Sequence, residues 1–85
     1  MKKKKYIVIE TAEGFEVPIV FADTLQHGDV ARGVGGKVLG AGFVEFFAAD
    51  QCEAQTYGRS DSLNIAPRGE DAALLERELL GAIRG

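Results

Sequence analysis

The stretch Tyr6-Ile7-Val8-Ile9-Glu10-Thr11 is β-branched and aromatic, and Phe15 to Phe21 alternates strictly, with Phe15, Val17, Ile19 and Phe21 at every second position. Ala12-Glu13-Gly14 joins the two runs, and a three-residue connection with glycine in its left-handed position suits a type I turn closed by a G1 bulge. The two runs therefore predict a β-hairpin. Its turn sets Thr11 opposite Phe15, Ile9 opposite Val17 and Ile7 opposite Ile19, which gathers Ile7 and Ile9 onto the apolar face of the return strand. Pro18 has no N–H to give to a ladder and places that return strand at a sheet edge.

Asp23 and Gln26 have the spacing of a capping pair, predicting a short helix over Thr24–Val34. Gly28 and Gly33 weaken it by about 1 kcal/mol each, and Gly35-Gly36 stops it. Lys37–Phe47 reads as the longest strand. Gly40 and Gly42 share one of its faces, a pattern that marks the close approach of another backbone or helix. Ala49-Asp50-Gln51 reads as a turn, Cys52 to Tyr57 or Arg59 as a return strand, and Gly58 to Asn64 as a loop with a short extended piece at Leu63-Asn64-Ile65. A final helix starts around Pro67, with Glu70 and Asp71 at the positive end of its dipole and Arg84 at the negative end. Ala72, Leu75, Leu79 and Ala82 or Ile83 recur at helical spacing and are expected to face the sheet. The sum is an α+β fold in the order ββαββα: a four-stranded, mainly antiparallel sheet with both helices on one face.

Eighty-five residues, 46% of them hydrophobic, suffice for one globular domain. Residues 1–5 are expected to be a basic flexible tail and residues 6–85 a single α+β domain. No apolar run approaches the roughly 20 residues of a membrane helix, and Glu10 and Glu13 interrupt what would otherwise resemble a signal peptide. Cys52 is the single cysteine, so no intramolecular disulfide forms, and a cytoplasmic location is expected. Together with His27, the one histidine, it falls short of the roughly four ligands of a zinc site. Lys2 to Lys5 carry four of the ten basic side chains, leaving six against thirteen acidic groups in the rest of the chain.

Motifs for chemistry are incomplete. Gly33-Val34-Gly35-Gly36-Lys37 has Ala31 and Val38 where a phosphate loop needs glycine and a hydroxyl residue, and Val38 again breaks a dinucleotide fingerprint. Backbone amides of Gly33–Gly36 leave anion or small-ligand binding as one alternative. His27, Asp29, Ser60, Asp61 and Ser62 are the residue types of a hydrolase triad without its nucleophile elbow. Asp50 and Glu53 disfavour a reactive Cys52 thiolate, which is read as a packed core cysteine. No enzyme activity, metal or cofactor is expected. The acidic body opposes direct nucleic-acid or membrane binding by Lys2–Lys5.

What remains is surface. In the hairpin register Glu10 opposes Glu16 with Glu13 at the turn, a like-charge pairing that is unfavourable within one chain and favourable toward a basic partner. Glu10, Glu13 and Glu16, joined by Asp23 and Asp29, are the expected contact surface for another protein. Tyr6, Val8 and Val20 lie on the other face of the hairpin and, left uncovered, serve a second reading as a homodimer contact. In size, acidity, compact mixed fold and lack of catalytic motif, the whole chain resembles the small accessory proteins of phages and mobile elements, including the anti-CRISPR inhibitors. No residue signature carries that resemblance. It implies a non-enzymatic inhibitor that occupies a nucleic-acid-binding surface.

Overall fold

Tyr6, Ile7, Val8 and Ile9 are consecutive and all buried, which demands cover on both sides of the strand that holds them. The computed structural model describes residues 3–47 and 53–80. Four strands, β1 (Lys4–Glu10), β2 (Glu16–Phe21), β3 (Lys37–Phe47) and β4 (Glu53–Tyr57), form one antiparallel sheet in the order β2-β1-β3-β4. Two short helices, α1 (His27–Val34) and α2 (Asp71–Leu75), complete an α+β fold, and α2 runs on into a π-helical turn over Glu76–Leu80. Lys4 and Lys5, expected in a flexible tail, belong to β1.

The hairpin pairs Glu10 with Glu16, Ile9 with Val17 and Ile7 with Ile19, as its turn chemistry predicts. Gly14 adopts φ +89°, and the Thr11 N–H donates to the Phe15 carbonyl at 2.9 Å. That bond sets the alternation of the ladder, so Val17 and Ile19 bond to β1 while Glu16, Pro18 and Val20 turn their backbone groups outward. Pro18 thus lacks a donor where no strand follows, and it interrupts the row of groups that another chain needs for edge pairing. At the opposite edge, the Glu76 carboxylate accepts the Ala54 N–H at 2.8 Å.

The helices pack on opposite faces, not on one. Ile7, Ile9 and Ala41, with Ile19, Phe21 and Val38 around them, meet Val30 and Ala31 of α1 and the loop residues Leu63 and Ile65. Tyr6, Val8, Val44 and Ala54 meet Leu74 and Leu75 of α2, with Val20 and Phe46 packed at the margin. An apolar strand interior to the sheet requires both layers, and each buried Val, Leu or Ile contributes about 1.5–3 kcal/mol. The Tyr6/Val8/Val20 face proposed for a homodimer is therefore covered by α2, with Tyr6 and Val8 fully buried and Val20 half-buried.

Two helix boundaries also differ from expectation. The Leu25 N–H bonds the Ala22 carbonyl at 3.1 Å, so Asp23 and Thr24 lie in a turn, and α1 begins at His27 with no side-chain cap from Asp23 or Gln26. Its early Gly28 N–H is satisfied instead across the fold by Ser62 Oγ at 3.1 Å. The last helix begins at Asp71, because Pro67 is drawn over Gly42 of β3, where a side chain would stand 2.8 Å from its ring. Asp71, Leu74 and Leu75 are its buried residues, whereas Ala72 is only half-buried. The readings of Ala49-Asp50-Gln51, Cys52, Ala82, Ile83 and Arg84 fall outside the described residues.

Candidate functional site: the acidic hairpin end

Glu10 pairs with Glu16 on one side and with Lys37 on the other, so the β1–β2 turn and the start of β3 occupy the same end of the sheet. α1 finishes at Val34, three positions before β3, which brings Val34 to that end too. Three carboxylates, Glu10, Glu13 and Glu16, thus share an end with three exposed apolar side chains, Phe15 (67% exposed), Val17 and Val34. Phe15 and Val17 belong by alternation to the α1-covered face, but α1 shelters only their neighbours Ile19 and Phe21. Asp23 and Asp29 do not join this cluster. Asp23 follows Phe21 at the far end of the hairpin, and Asp29 is held by Arg32 in the first turns of α1.

Glu16 is itself anchored. Its Oε1 accepts from the Arg68 guanidinium at 2.9 Å, and Arg68 Nε donates to Asp71 Oδ1 at 2.8 Å. Asp71 is completely buried and also accepts from the Tyr6 hydroxyl at 2.7 Å and from the Arg68 N–H at 3.0 Å. The space for this carboxylate comes from Gly40, because a Cβ there would stand 3.0 Å from Asp71 Cγ. Tyr6, Asp71, Arg68 and Glu16 form a chain from the core to the hairpin end, with Glu70 a further carboxylate 3.6 Å from Arg68. Desolvation opposes the charge on Arg68, but the Glu16 and Asp71 carboxylates outweigh it and hold the guanidinium above its ordinary pKa. Sequence reading assigned Asp71 only to the helix dipole and missed this network. Its signal was a small-residue gap on β3 facing a tyrosine whose hydroxyl needs a partner.

Burial, then the bond and the charge of Asp71, push the Tyr6 hydroxyl far above its usual pKa. In the unfolded chain the same phenol ionises near pH 10. Because the folded value is raised, this contribution to stability is intact below about pH 10 and declines as pH rises beyond it. Unfolding by urea at pH 9 to 11 is expected to show that decline in the wild type and a shallower one in Tyr6→Phe. Equal slopes would contradict the linkage.

His27 does not assemble with the serines. Its ring stands edge-on to Phe21 and Phe43 at 5.4 and 5.9 Å, and Nε2 donates to the Gly42 carbonyl at 2.8 Å. Ser60 Oγ accepts the Leu63 N–H at 3.1 Å in a local turn, and Asp61 lies exposed beside Arg59. Gly35 and Gly36, both at positive φ, border an open cleft of about 530 Å³ with Gly28, Asp29, Arg32 and Ser62, where Asp29 and Arg32 already satisfy each other. Among the described residues no three His, Cys, Asp or Glu side chains converge as metal ligands, and no helix is long and apolar enough to cross a membrane. Set against known proteins, the chain matches no family model, and neither a curated protein nor a solved structure matches it.

Proposed function

We propose that the protein is a non-enzymatic binding module that contacts a basic surface of another protein through its hairpin end, with Phe15 as apolar anchor and Glu10, Glu13 and Glu16 as the charged rim. The observation that carries this is the exposure of Phe15, an aromatic residue left two-thirds outside the fold at the end of the sheet that also holds Glu10, Glu13 and Glu16. Aromatic anchors ringed by charge supply most of the energy of protein interfaces, and charge on the rim mainly sets the encounter rate and its salt dependence. Arg68 fixes Glu16 in place, which lowers the entropy lost on binding. A nucleic-acid-binding complex presents a basic surface of this kind, and occupying it is the inhibitory role that the chain's general character suggests.

Affinity capture at about 50 mM and about 1 M salt, where the Debye length falls from about 14 to about 3 Å, tests this reading. Wild type is expected to hold a partner at low salt and to lose it at high salt. Phe15→Ser and a Glu10→Lys/Glu13→Lys double variant are each expected to weaken capture at least tenfold, in keeping with interface anchors. A partner retained equally by all three proteins would overturn the assignment of the hairpin end.

A further inference from the structure

We infer that the opposite end of the sheet is a platform for single-stranded nucleic acid, on which a base stacks against Tyr57 while phosphates meet Lys3, Lys5 and Arg59. The inference does not rest on the hairpin reading and concerns different residues. One rung of the sheet crosses all four strands there: Phe21 pairs with Lys5, Lys5 with Phe43, and Phe43 with Tyr57. Residues opposite one another share a face, so three aromatic rings and an ammonium group lie in one row.

The row is fixed in place. Phe43 and Tyr57 stack with centroids 5.7 Å apart and planes 22° from parallel. The Tyr57 hydroxyl donates to Glu45 Oε1 at 3.3 Å. Gly58, at φ +68°, lets the chain turn against the Phe43 ring, where a Cβ would stand only 2.7 Å away. His27 closes the inner edge of Phe43 from α1, while Tyr57 at the edge strand remains 38% exposed. A rigid, partly exposed ring is what a nucleobase stacks on, and it accepts any base because each has a π-face. Two cations lie over its inner neighbour: the Lys3 and Lys5 ammonium groups stand 4.9 and 6.0 Å from the Phe43 centroid, Lys5 also donating to the Leu25 carbonyl at 2.7 Å. Arg59 follows two residues after Tyr57, its guanidinium donating to Asn64 Oδ1.

The acidic balance of the chain does not forbid this. β1 has seven residues between the lysine end and the glutamate end, a span of about 20 Å, whereas the Debye length at physiological salt is about 8 Å. The hairpin carboxylates are therefore screened from the platform. Its own acidic neighbours, Asp23, Glu45 and Asp61, limit affinity; Glu45 is bound to Tyr57 and Asp61 lies 3.6 Å from Arg59. The aromatic pair escaped the sequence reading because Phe43 and Tyr57 belong to different strands, and only the register joins them.

Fluorescence anisotropy of labelled oligothymidylate and oligouridylate of about 12 nucleotides, titrated with the full chain, tests the platform. Binding is expected at about 20 mM salt, weakening toward about 200 mM with a logarithmic slope near −2, as for about three phosphates neutralised on a single strand. Tyr57→Ala is expected to weaken binding about tenfold, with Tyr57→Phe close to wild type, the pattern of ring stacking. Lys3→Glu is expected to flatten the salt slope. Circular dichroism of each variant confirms that it is folded. No anisotropy change with about 100 μM protein at low salt would overturn the proposal, since non-specific binding to nucleic acid falls within that range. So would binding that Tyr57→Ala and Lys3→Glu leave intact, or equal binding of a polyglutamate peptide, which offers charge without bases.

Discussion

Asp71→Ala is expected to lose about 3–5 kcal/mol of stability, the cost of breaking a buried, hydrogen-bonded charge from one side. The carboxylate is the meeting point of three donors, the Tyr6 hydroxyl, the Arg68 N–H and Arg68 Nε. Its removal leaves the buried phenol without an acceptor, which by itself costs about 1–3 kcal/mol, and opens a void beside Gly40. Small domains are stable by about 5–15 kcal/mol, with the shortest near the lower bound, so the variant is expected to be largely unfolded at physiological temperature. Asp71→Asn is expected to fall between, because an amide keeps the shape but turns an N–H₂ toward groups that are themselves donors. Urea denaturation followed by circular dichroism measures both. A control is Asp29→Ala: its carboxylate pairs with Arg32 in full view of solvent and is worth less than about 0.5 kcal/mol. If Asp71→Ala cost no more than that control, Asp71 would be an incidental neighbour of Tyr6 and Arg68.

Much of this architecture is legible in the sequence, and the part that is not has a physical cause. The hairpin could be read down to its register because Gly14 selects the turn and the alternation from Phe15 to Phe21 selects the face; local chemistry decided both. Gly40 and Gly42 were readable as points of close approach, and the groups that approach are Asp71 and Pro67. The placement of the helices on opposite faces had a signal that alternation in β2 obscured. Tyr6-Ile7-Val8-Ile9 has four apolar residues in succession, the pattern of a strand covered on both sides, and this also excludes Tyr6 and Val8 from any exposed dimer contact. α1 starts three residues later than Asp23 and Gln26 predict, because the packing of His27 between Phe21 and Phe43 overrides their capping pattern. Asp71 was hidden for a different reason. An acidic residue in the first turn of a helix is explained by the dipole alone, so nothing local distinguishes a solvated aspartate from a buried one. Of the candidate surface, Glu10, Glu13 and Glu16 followed from the hairpin register, whereas Asp23 and Asp29 depended on tertiary placement and lie elsewhere.

Gly40→Ala is expected to destabilise by about 3 kcal/mol, at the upper end of the range for overpacking in a close-packed interior. The new methyl group would lie far inside contact distance of Asp71 Oδ2, 3.0 Å from Cγ and 3.1 Å from Oδ1. The carboxylate cannot withdraw without giving up the bonds that hold it, and α2 cannot retreat as a body because Leu74 and Leu75 are packed into the core. Gly33→Ala makes the contrast within one protein: nothing stands within 4 Å of the added atom, and in the last turn of α1 alanine gains part of the about 1 kcal/mol that separates it from glycine in a helix interior. The same substitution is thus expected to change sign between the two positions. A double-mutant cycle identifies the cause. In Asp71→Ala the offending carboxylate is gone, so adding Gly40→Ala is expected to cost at least about 1 kcal/mol less than it does in wild type, the coupling of residues in direct contact. Strict additivity would mean that the loss at Gly40 arises in the backbone of β3 rather than from the side chain it accommodates, and the network would have to be rebuilt around another constraint.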